Sequence, residues 1–417
     1  MKLVSQYFNR RLITILFLGF SSGLPLALVG TTLQAWYTVS GLDIVTIGAL
    51  SWIGQPYIYK FIWAPIFDRF TPPFLDRRRG WMVITQVGLL ISIVILGLFS
   101  PKEHPLMMGY FALWVAFLSA SQDISVDAYR ADILEPAERG LGAAMGIGGY
   151  RIAMWVSSGI ALILADSLGW QTTYFVMAMF MIIGMVTSWL APALEQTVKP
   201  PERLSLAVVE PLKSFFSRDK AILLILFIMF FKLGESFTTT SSPMTTAFLL
   251  RGLEFSLTAV GTANNSVGLI ASVIGIFLGG FILSSINLYR ALMIFGVLQA
   301  IANLGFLALA IVGKNYLLMI TAVFTDNLCA GMGMAALTAL LMSLCERRYT
   351  ASQFALLSAL VGFTRIVAGP IGTLMVAHLG WTQAYFWSFV LSVPALFLLW
   401  GLRHHMKVHQ VTAASVV

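Results

Sequence analysis

Charged residues are scarce in this chain of 417 residues, of which 58% are hydrophobic and 11% are charged. Soluble domains average about 25% charged residues, and the mean hydropathy here is +0.86. A soluble fold of this length could not cover so much apolar surface. The composition therefore argues against a soluble protein and indicates an integral membrane protein.

Cysteine and histidine are also rare. The two cysteines, Cys329 and Cys345, fall in one apolar segment, which argues against a disulfide framework. The five histidines lie in predicted loops or in the C-terminal tail, and no metal-ligand or nucleophile spacing occurs among them. We therefore expect no metal site and no cofactor.

Long apolar runs are what the chain has in abundance. Runs of about 20 residues predict membrane-spanning helices. The first run follows two arginines as a signal peptide would, but its apolar core is too long and it has no evident cleavage site. We expect an all-α membrane protein with twelve spans, at 12–37, 43–66, 81–99, 106–130, 140–165, 170–193, 221–248, 257–283, 291–312, 315–345, 353–377 and 381–402.

Positive charge is unevenly distributed between the predicted loops. With both termini on one side, that side holds 19 of the 26 lysines and arginines, the other side holds 3, and 4 lie within spans. Such an asymmetry across short loops marks the cytoplasmic side. The net charge of +8 is thus a topology signal. We expect cytoplasmic termini and no nucleic-acid partner.

The two halves of the chain resemble each other. "GLDIVTIG" at 41–48 is echoed by "GLEFSLTAVG" at 252–261, and "LGWQTTYF" at 168–175 by "LGWTQAYF" at 379–386. "GGYR" and "GFTR" form a third pair in the same order. Three ordered echoes predict an internal duplication, which is common in transporters.

The duplication predicts a domain plan. We expect six-helix halves at 1–193 and 221–402, a cytoplasmic linker with several prolines at 194–220, and a cytoplasmic tail at 403–417. Two parallel six-helix halves resemble the major facilitator superfamily, in which the substrate path runs between the halves.

One loop resembles a signature of that superfamily. "APIFDRFTPPFLDRRRG" at 64–80 is similar to its G-x-x-x-D-R-x-G-R-R loop, although Ala64 replaces the first glycine and the spacing is longer. The resemblance implies that Asp68 and Arg69 help to close the cytoplasmic side. The arginines also fit a positive-inside loop with no further role, and both interpretations stay open.

Eight charged residues lie inside the predicted spans, four acids and four bases. Each unpaired charge that faced lipid would cost at least about 2.5–3.5 kcal/mol. We therefore expect all of them to face protein or a cavity. They are Lys60, Asp123, Asp127, Arg151, Lys232, Glu235, Asp326 and Arg365.

The stretch "SASQDISVDAYR" at 119–130 puts two of these acids on one helical face. Asp127 and Arg130 lie near the predicted cytoplasmic end and fit either a helix-end pair or a gate. Asp123 lies about 6 Å deeper at 1.5 Å per residue. With Gln122 beside it, Asp123 is predicted to bind cargo or protons.

The remaining candidates come from both halves. Arg151 and Arg365 stand at matching depths, and their planar guanidinium groups suit the carboxylates of a cargo. Lys232 and Glu235 lie one turn apart, either as a static pair or as a switch in which proton uptake by Glu235 frees Lys232. Asp326 is a further proton-coupling candidate, and the other predicted cargo contacts are Lys60, Asn264 and Asn327.

Two glycine-rich stretches have a simpler interpretation. "GAAMGIGG" at 142–149 and "CAGMGM" at 329–334 predict close contact between helices, because small residues let backbones approach.

Taken together, these motifs resemble the AmpG muropeptide permease family nearly from end to end. The resemblance implies proton-driven import of N-acetylglucosaminyl-1,6-anhydro-N-acetylmuramyl peptides across the bacterial inner membrane, for peptidoglycan recycling and β-lactamase induction. It implies a monomer in the lipid bilayer that is not an enzyme, with the muropeptide as partner and protons as coupling ion. It rests on "SSGLPLAL", "KFIWAPIFDRFTPPF", "RRRGW", "SASQDISVDAYR", "GYR", "FKLGESF", "NLCAGMG" and "SQFALLSAL".

Two alternatives stay open. Acetyl-CoA transporters are distant relatives of the family, so another anionic cargo such as acetyl-CoA is possible. A membrane-embedded acyl- or glycosyltransferase is the second alternative, but it would need a polar catalytic loop or a His/Asp pair near a membrane face. Some enterobacterial members continue into extra C-terminal helices, whereas this chain ends after the twelfth predicted span, and we expect its transport core to be intact.

Overall fold

A computed structural model of the protein describes residues 9–42, 46, 50–194, 201, 203–239 and 242–403. The predicted tail therefore lies outside the described residues, except for its first position. Every regular element in the described part is helical. Nine of its helices are long and apolar enough to cross a membrane.

The helices of the first half follow the predicted spans, apart from the second. They are α1 (Arg10–Val39), α2 (Ala64–Arg69), α3 (Arg77–Leu98), α4 (Pro105–Ile133), α5 (Arg139–Leu168) and α6 (Trp170–Leu190). A linker helix, Leu204–Phe216, precedes the second half. The helices of that half are α7 (Ala221–Thr238), α8 (Ala259–Ser285), α9 (Leu288–Val312), α10 (Tyr316–Ser343), α11 (350–379) and α12 (381–401).

Two predicted spans are not single helices. Four short helical segments occupy 50–69 and end with α2, while most of 43–49 lies outside the described residues. The seventh span was predicted to run to residue 248, but α7 ends at Thr238 and a short helix, Pro243–Ala247, follows. Proline has no backbone N–H and therefore starts helices rather than continuing them. With these interruptions, the count of twelve spans stays a prediction.

Glycine separates α11 from α12. Gly380 has a φ of 77°, a left-handed conformation that glycine adopts without a steric penalty. His378, which we expected in a loop, lies in the last turn of α11 instead, because helical structure continues up to Gly380.

The chain packs as two compact units. The N-terminal unit comprises 1–135, 145–213 and 344–359, and the C-terminal unit comprises 136–144, 214–343 and 360–417. Each unit thus includes a short segment from the other half of the sequence, at the start of α5 and at the start of α11. The domain boundaries that the sequence repeat predicts, at 193/194, 220/221 and 402/403, stay a prediction.

Aromatic side chains and two π-helical turns shape the core of the N-terminal unit. Trp36 stacks on Trp170 with ring centroids 5.4 Å apart. The turns at Leu28–Thr32 in α1 and Val156–Ile160 in α5 each contain one extra residue, which frees backbone carbonyls from the helical pattern. Thr32 Oγ1 donates to the backbone oxygen of Ser157 at 2.5 Å, and this bond joins the two turns.

The glycine-rich stretches make the close contacts that the sequence predicts. A Cβ on Gly149 of α5 would collide with the backbone oxygen of Leu16 in α1. In the C-terminal unit, a Cβ on Gly331 of α10 would collide with the backbone oxygen of Ser272 in α8. The predicted helix contacts are confirmed at both places.

Candidate functional site

The charged residues of the N-terminal unit meet around Asp127 on α4. Its Oδ2 accepts a hydrogen bond from Lys60 Nζ at 3.2 Å, and its Oδ1 accepts one from Arg130 Nη2 at 2.8 Å. Lys60 and Arg130 are buried, and each is 7% exposed. The Arg130 guanidinium also lies 5.6 Å from the ring centre of Phe354, near the start of α11. Asp127 therefore belongs to a two-cation cluster next to α11.

Asp123, one turn away on the same face of α4, has a different partner. Its Oδ1 accepts a hydrogen bond of 2.5 Å from Ser22 Oγ on α1, and the side chain is half-buried. Lys60 donates to Asp127 rather than to Asp123. The two acids thus have unlike surroundings, and the predicted difference in depth did not indicate which partners each would have.

Gln122 lies in a polar network inside the helical bundle. Its Nε2 donates to Ser21 Oγ at 2.8 Å, and Gln86 Oε1 accepts from Ser188 Oγ at 2.9 Å nearby. Both glutamines are 0% exposed. The network ties together α1, α3, α4 and α6. The role of Gln122 in cargo binding stays a prediction.

Asp68 of α2 binds the amino end of α11. Its carboxylate is 0% exposed and accepts hydrogen bonds from Ser352 N at 2.8 Å, Ser352 Oγ at 2.6 Å and Ala351 N at 3.2 Å. The first N–H groups of a helix have no intrahelical acceptor and carry partial positive charge, so they favour a carboxylate. Asp68 also accepts from Arg78 Nη2 at 2.9 Å.

Arg78 connects this carboxylate to a second one. The Arg78 side chain is 1% exposed, and its Nε donates to Asp132 Oδ2 at 3.0 Å. Thr350 Oγ1, at the start of α11, donates to Asp132 Oδ1 at 2.6 Å. We call Asp68, Arg78, Asp132, Thr350 and Ser352 the α11 clamp. It lies wholly within the N-terminal unit.

The sequence analysis identified Asp68 and the arginine-rich loop that contains Arg78, but it did not single out Asp132, Thr350 or Ser352. "TASQ" at 350–353 fits the S/T-x-x-Q pattern that begins many helices, and this pattern could have indicated that a helix starts at Thr350. Arg69, the other residue predicted to close the cytoplasmic side, is half-buried, and its guanidinium lies 5.5 Å from the ring centre of Phe70.

The C-terminal unit contains a second buried polar cluster. Lys232 Nζ and Glu235 Oε2 form an ion pair along α7, with side chains 4% and 9% exposed. Asp326 of α10 is 0% exposed and accepts from Thr238 Oγ1 at 2.8 Å and from Gln299 Nε2 at 2.9 Å. Sequence reasoning did not single out Thr238 or Gln299, because neither carries a charge.

The other predicted cargo residues vary in burial. Arg365 is exposed, whereas Arg151 and Asn264 are half-buried. Asn327 is buried, and its Nδ2 donates to the backbone oxygen of Val323 one turn earlier at 2.8 Å. Within the described part of the chain, no cluster of three or more His, Cys, Asp or Glu could hold a metal ion.

Comparisons with known proteins agree with this architecture. The model of the Major Facilitator Superfamily matches residues 11–356. The chain is 46% identical over 398 residues to a protein of Escherichia coli strain K12 named anhydromuropeptide permease. The match covers 95% of this chain and 80% of that protein.

Two solved structures share the fold at low identity. An outward-facing bacterial homologue of the iron transporter ferroportin has a TM-score of 0.68 at 14% identity and covers 96% of this chain and 99% of its own. The proton:xylose symporter XylE, bound to 6-bromo-6-deoxy-D-glucose, has a TM-score of 0.67 at 11% identity and covers 94% of each chain.

The helical fold and the family match define a multi-pass membrane transporter of the major facilitator class. Within that superfamily, the chain belongs to the AmpG family of permeases. The family and the all-α facilitator fold predicted from the sequence are thereby confirmed.

Proposed function

We propose that the protein is a proton-coupled symporter that imports anhydromuropeptides from the periplasm to the cytoplasm by alternating access. The observation that carries the cargo assignment is 46% identity, over 95% of the chain, to a relative named anhydromuropeptide permease. The protein would lie in the bacterial inner membrane with both termini in the cytoplasm and would function as a monomer. It would serve peptidoglycan recycling and, through its cargo, β-lactamase induction.

The chemistry of the cargo suits the polar residues of the site. A muropeptide presents sugar hydroxyls, N-acetyl groups and peptide carboxylates. Guanidinium groups bind carboxylates in a bidentate manner, which suits Arg151 and Arg365. The amides of Asn264 and Asn327 suit hydroxyl groups as hydrogen-bonding partners.

Proton coupling would use the buried ion pair of α7. A carboxylate loses its negative charge when it takes up a proton, and its ion pair with a lysine is then broken. Proton uptake by Glu235 would thus free Lys232 for an anionic group of the cargo. The ion pair between Lys232 and Glu235 supports this switch, because both side chains are buried and one turn apart.

The α11 clamp would hold the cytoplasmic side closed. Opening that side would require α11 to leave Asp68 and Asp132, which together accept four hydrogen bonds from Thr350, Ala351 and Ser352. Cargo and protons would have to stabilise the open state enough to offset those bonds.

Transport into proteoliposomes tests the proposal. A labelled anhydromuropeptide of defined structure is offered with and without an inwardly directed pH gradient, and uptake should exceed equilibrium only with the gradient. Glu235→Gln should keep cargo exchange between labelled and unlabelled pools but lose gradient-driven accumulation. Asp166→Asn, which changes an exposed carboxylate, is the matched control. Preferential uptake of acetyl-CoA, or formation of a transfer product, would reject the assignment.

A further inference from the structure

The polar cluster around Asp326 contains two acceptor atoms without donors. Asp326 Oδ1 accepts from Thr238 Oγ1 at 2.8 Å and from Gln299 Nε2 at 2.9 Å. Its second oxygen, Oδ2, is buried and has no hydrogen-bond partner among the described residues, and the same is true of Gln299 Oε1. Buried polar atoms are nearly always hydrogen-bonded, so two orphaned acceptors in one cluster require an explanation.

The two orphaned atoms belong to groups that are already bonded to each other. The Gln299 amide donates through Nε2 to one oxygen of the carboxyl group. A neutral carboxylic acid can return a hydrogen bond from its second oxygen to the amide oxygen and so close a ring of two bonds. An ionised carboxylate cannot, because it has no hydrogen to donate. One proton on Asp326 would therefore provide a donor for Gln299 Oε1 and give Oδ2 a partner.

The surrounding charges favour the neutral acid. The titratable groups facing Asp326 are Lys232 and Glu235 on α7, Cys329 on α10 itself and Tyr385 on α12. Lys232 is bonded to Glu235. The two hydrogen bonds that Asp326 accepts come from uncharged groups. An ionised Asp326 would add a second buried negative charge beside a single lysine, whereas a neutral Asp326 leaves the cluster balanced.

A small cavity borders the Glu235 side of the ion pair and the Gln299 side chain. It is lined by Glu235 and Gln299 together with Phe231, Gly333 and Ser392, and its volume is about 10 Å³. That is the room one water molecule needs. The cavity thus touches the ion pair through Glu235 and the Asp326–Gln299 pair through Gln299, and it lies within the C-terminal unit.

We infer that Asp326 is the proton-holding acid of the C-terminal unit and that Gln299 is the positioning residue that keeps its proton on Oδ2. The inference rests on the proton coupling proposed above and names the pair of groups that would store the proton. In proton uptake, an O–H bond of a hydronium ion breaks, an O–H bond forms at Asp326 Oδ2, and a water molecule is left. No other bond changes.

Infrared difference spectroscopy of the reconstituted full-length protein tests the inference independently of transport. A protonated carboxylic acid has a C=O stretch well separated from that of a carboxylate, and the band shifts in D₂O. Wild type minus Asp326→Asn should show one such band at neutral pH. In Gln299→Met the band should move to higher frequency, because the carbonyl loses the Nε2 donor. Gln86→Met, which changes a buried glutamine of the N-terminal unit, should leave the band in place.

The outcomes separate the inference from the proposed function. No acid band at neutral pH, or a band that Gln299→Met does not move, would overturn the inference even if uptake is proton-driven. A band that behaves as expected would uphold it even if the cargo accumulates without a pH gradient, and in that case the coupling proposal alone would fail. Asp326→Asn should fold, because its amide can donate to Gln299 Oε1 as the neutral acid does. If uptake is proton-driven, this variant should lose accumulation but retain exchange.

Discussion

Single residues on α4 illustrate how little spacing says about role. Asp123 and Asp127 are four residues apart on one face, yet Asp127 is bonded to two cations and Asp123 to a serine. A carboxylate between two cations holds three side chains in place, and one of them, Arg130, lies over Phe354 at the start of α11. The unequal partners favour a gating role for Asp127 and a binding or coupling role for Asp123.

We predict that Asp127→Asn shifts the protein toward cytoplasmic exposure and that Asp123→Asn does not. The amide of Asp123→Asn can still accept from Ser22. The amide of Asp127→Asn attracts Lys60 and Arg130 far less than a carboxylate does. The reporter is alkylation of Cys345, just before α11, in a Cys329→Ala background. Its rate should rise several-fold in Asp127→Asn alone, while Asp123→Asn should weaken uptake. Equal behaviour in both assays would show that the acids act as one site.

The next prediction concerns the two arginines at matching positions of the sequence repeat. Lysine keeps the charge of Arg151 and Arg365 but loses the planar fork that binds a carboxylate in a bidentate manner. Either Arg→Lys variant should lower the apparent affinity for a muropeptide about tenfold, which corresponds to one charged hydrogen bond. Arg290→Lys, at an exposed position, should have no effect. Unchanged affinity in both variants would remove the arginines from the binding site.

At the scale of elements, the amino end of α11 depends on a carboxylate that lies 284 positions earlier in the chain. Asp68 accepts two backbone N–H groups of this end together with the hydroxyl of Ser352 and the guanidinium of Arg78. Hydrogen bonds to a charged group contribute about 1.5–3 kcal/mol each. The contact therefore contributes to the docking of α11 within the N-terminal unit.

We predict that Asp68→Asn loosens this docking. The amide cannot accept from all four donors, so the alkylation rate of Cys345 should rise by about an order of magnitude in the Cys329→Ala background. Asp76→Asn is the matched control, because Asp76 caps α3 and pairs with Arg79 on its own helix. If both variants alkylate at the wild-type rate, Asp68 does not hold α11.

The glycines of α10 offer a paired test of helix contact. Gly331 has no room for a Cβ against Ser272, whereas a Cβ on Gly333 would lie 3.5 Å from the Phe231 ring, an ordinary contact. Gly331→Ala should lower the free energy of unfolding by about 1–3 kcal/mol, the usual cost of overpacking. Gly333→Ala should change it little. Thermal denaturation in detergent measures both, and equal midpoints would contradict the close contact.

At the scale of the whole molecule, the distribution of lysine and arginine predicts which loops face the cytoplasm. Lys102 and Arg347 are exposed in loops expected on opposite sides of the membrane. In a chain without native cysteines, Lys102→Cys should react with an impermeant maleimide in intact spheroplasts. Arg347→Cys should react only after permeabilisation. The reverse pattern would invert the topology and place the termini in the periplasm.

The sequence alone determined the membrane class, the family and the approximate position of most helices. These follow from local properties: apolar runs of membrane-spanning length, a one-sided charge distribution and short motifs that can be read without knowing any contact. The same holds for the close helix packing at Gly149 and Gly331, because small residues at helical spacing have few other uses.

Only the tertiary structure decided which partner each polar group has. The sequence put Lys60 at the depth of Asp123, but packing brought Lys60 to Asp127 and Ser22 to Asp123. It also brought Asp68 to α11 and the uncharged Gln299 to Asp326. Helical spacing specifies the face on which a side chain lies, whereas its partner comes from a helix that is distant in sequence and becomes a neighbour only when the bundle packs.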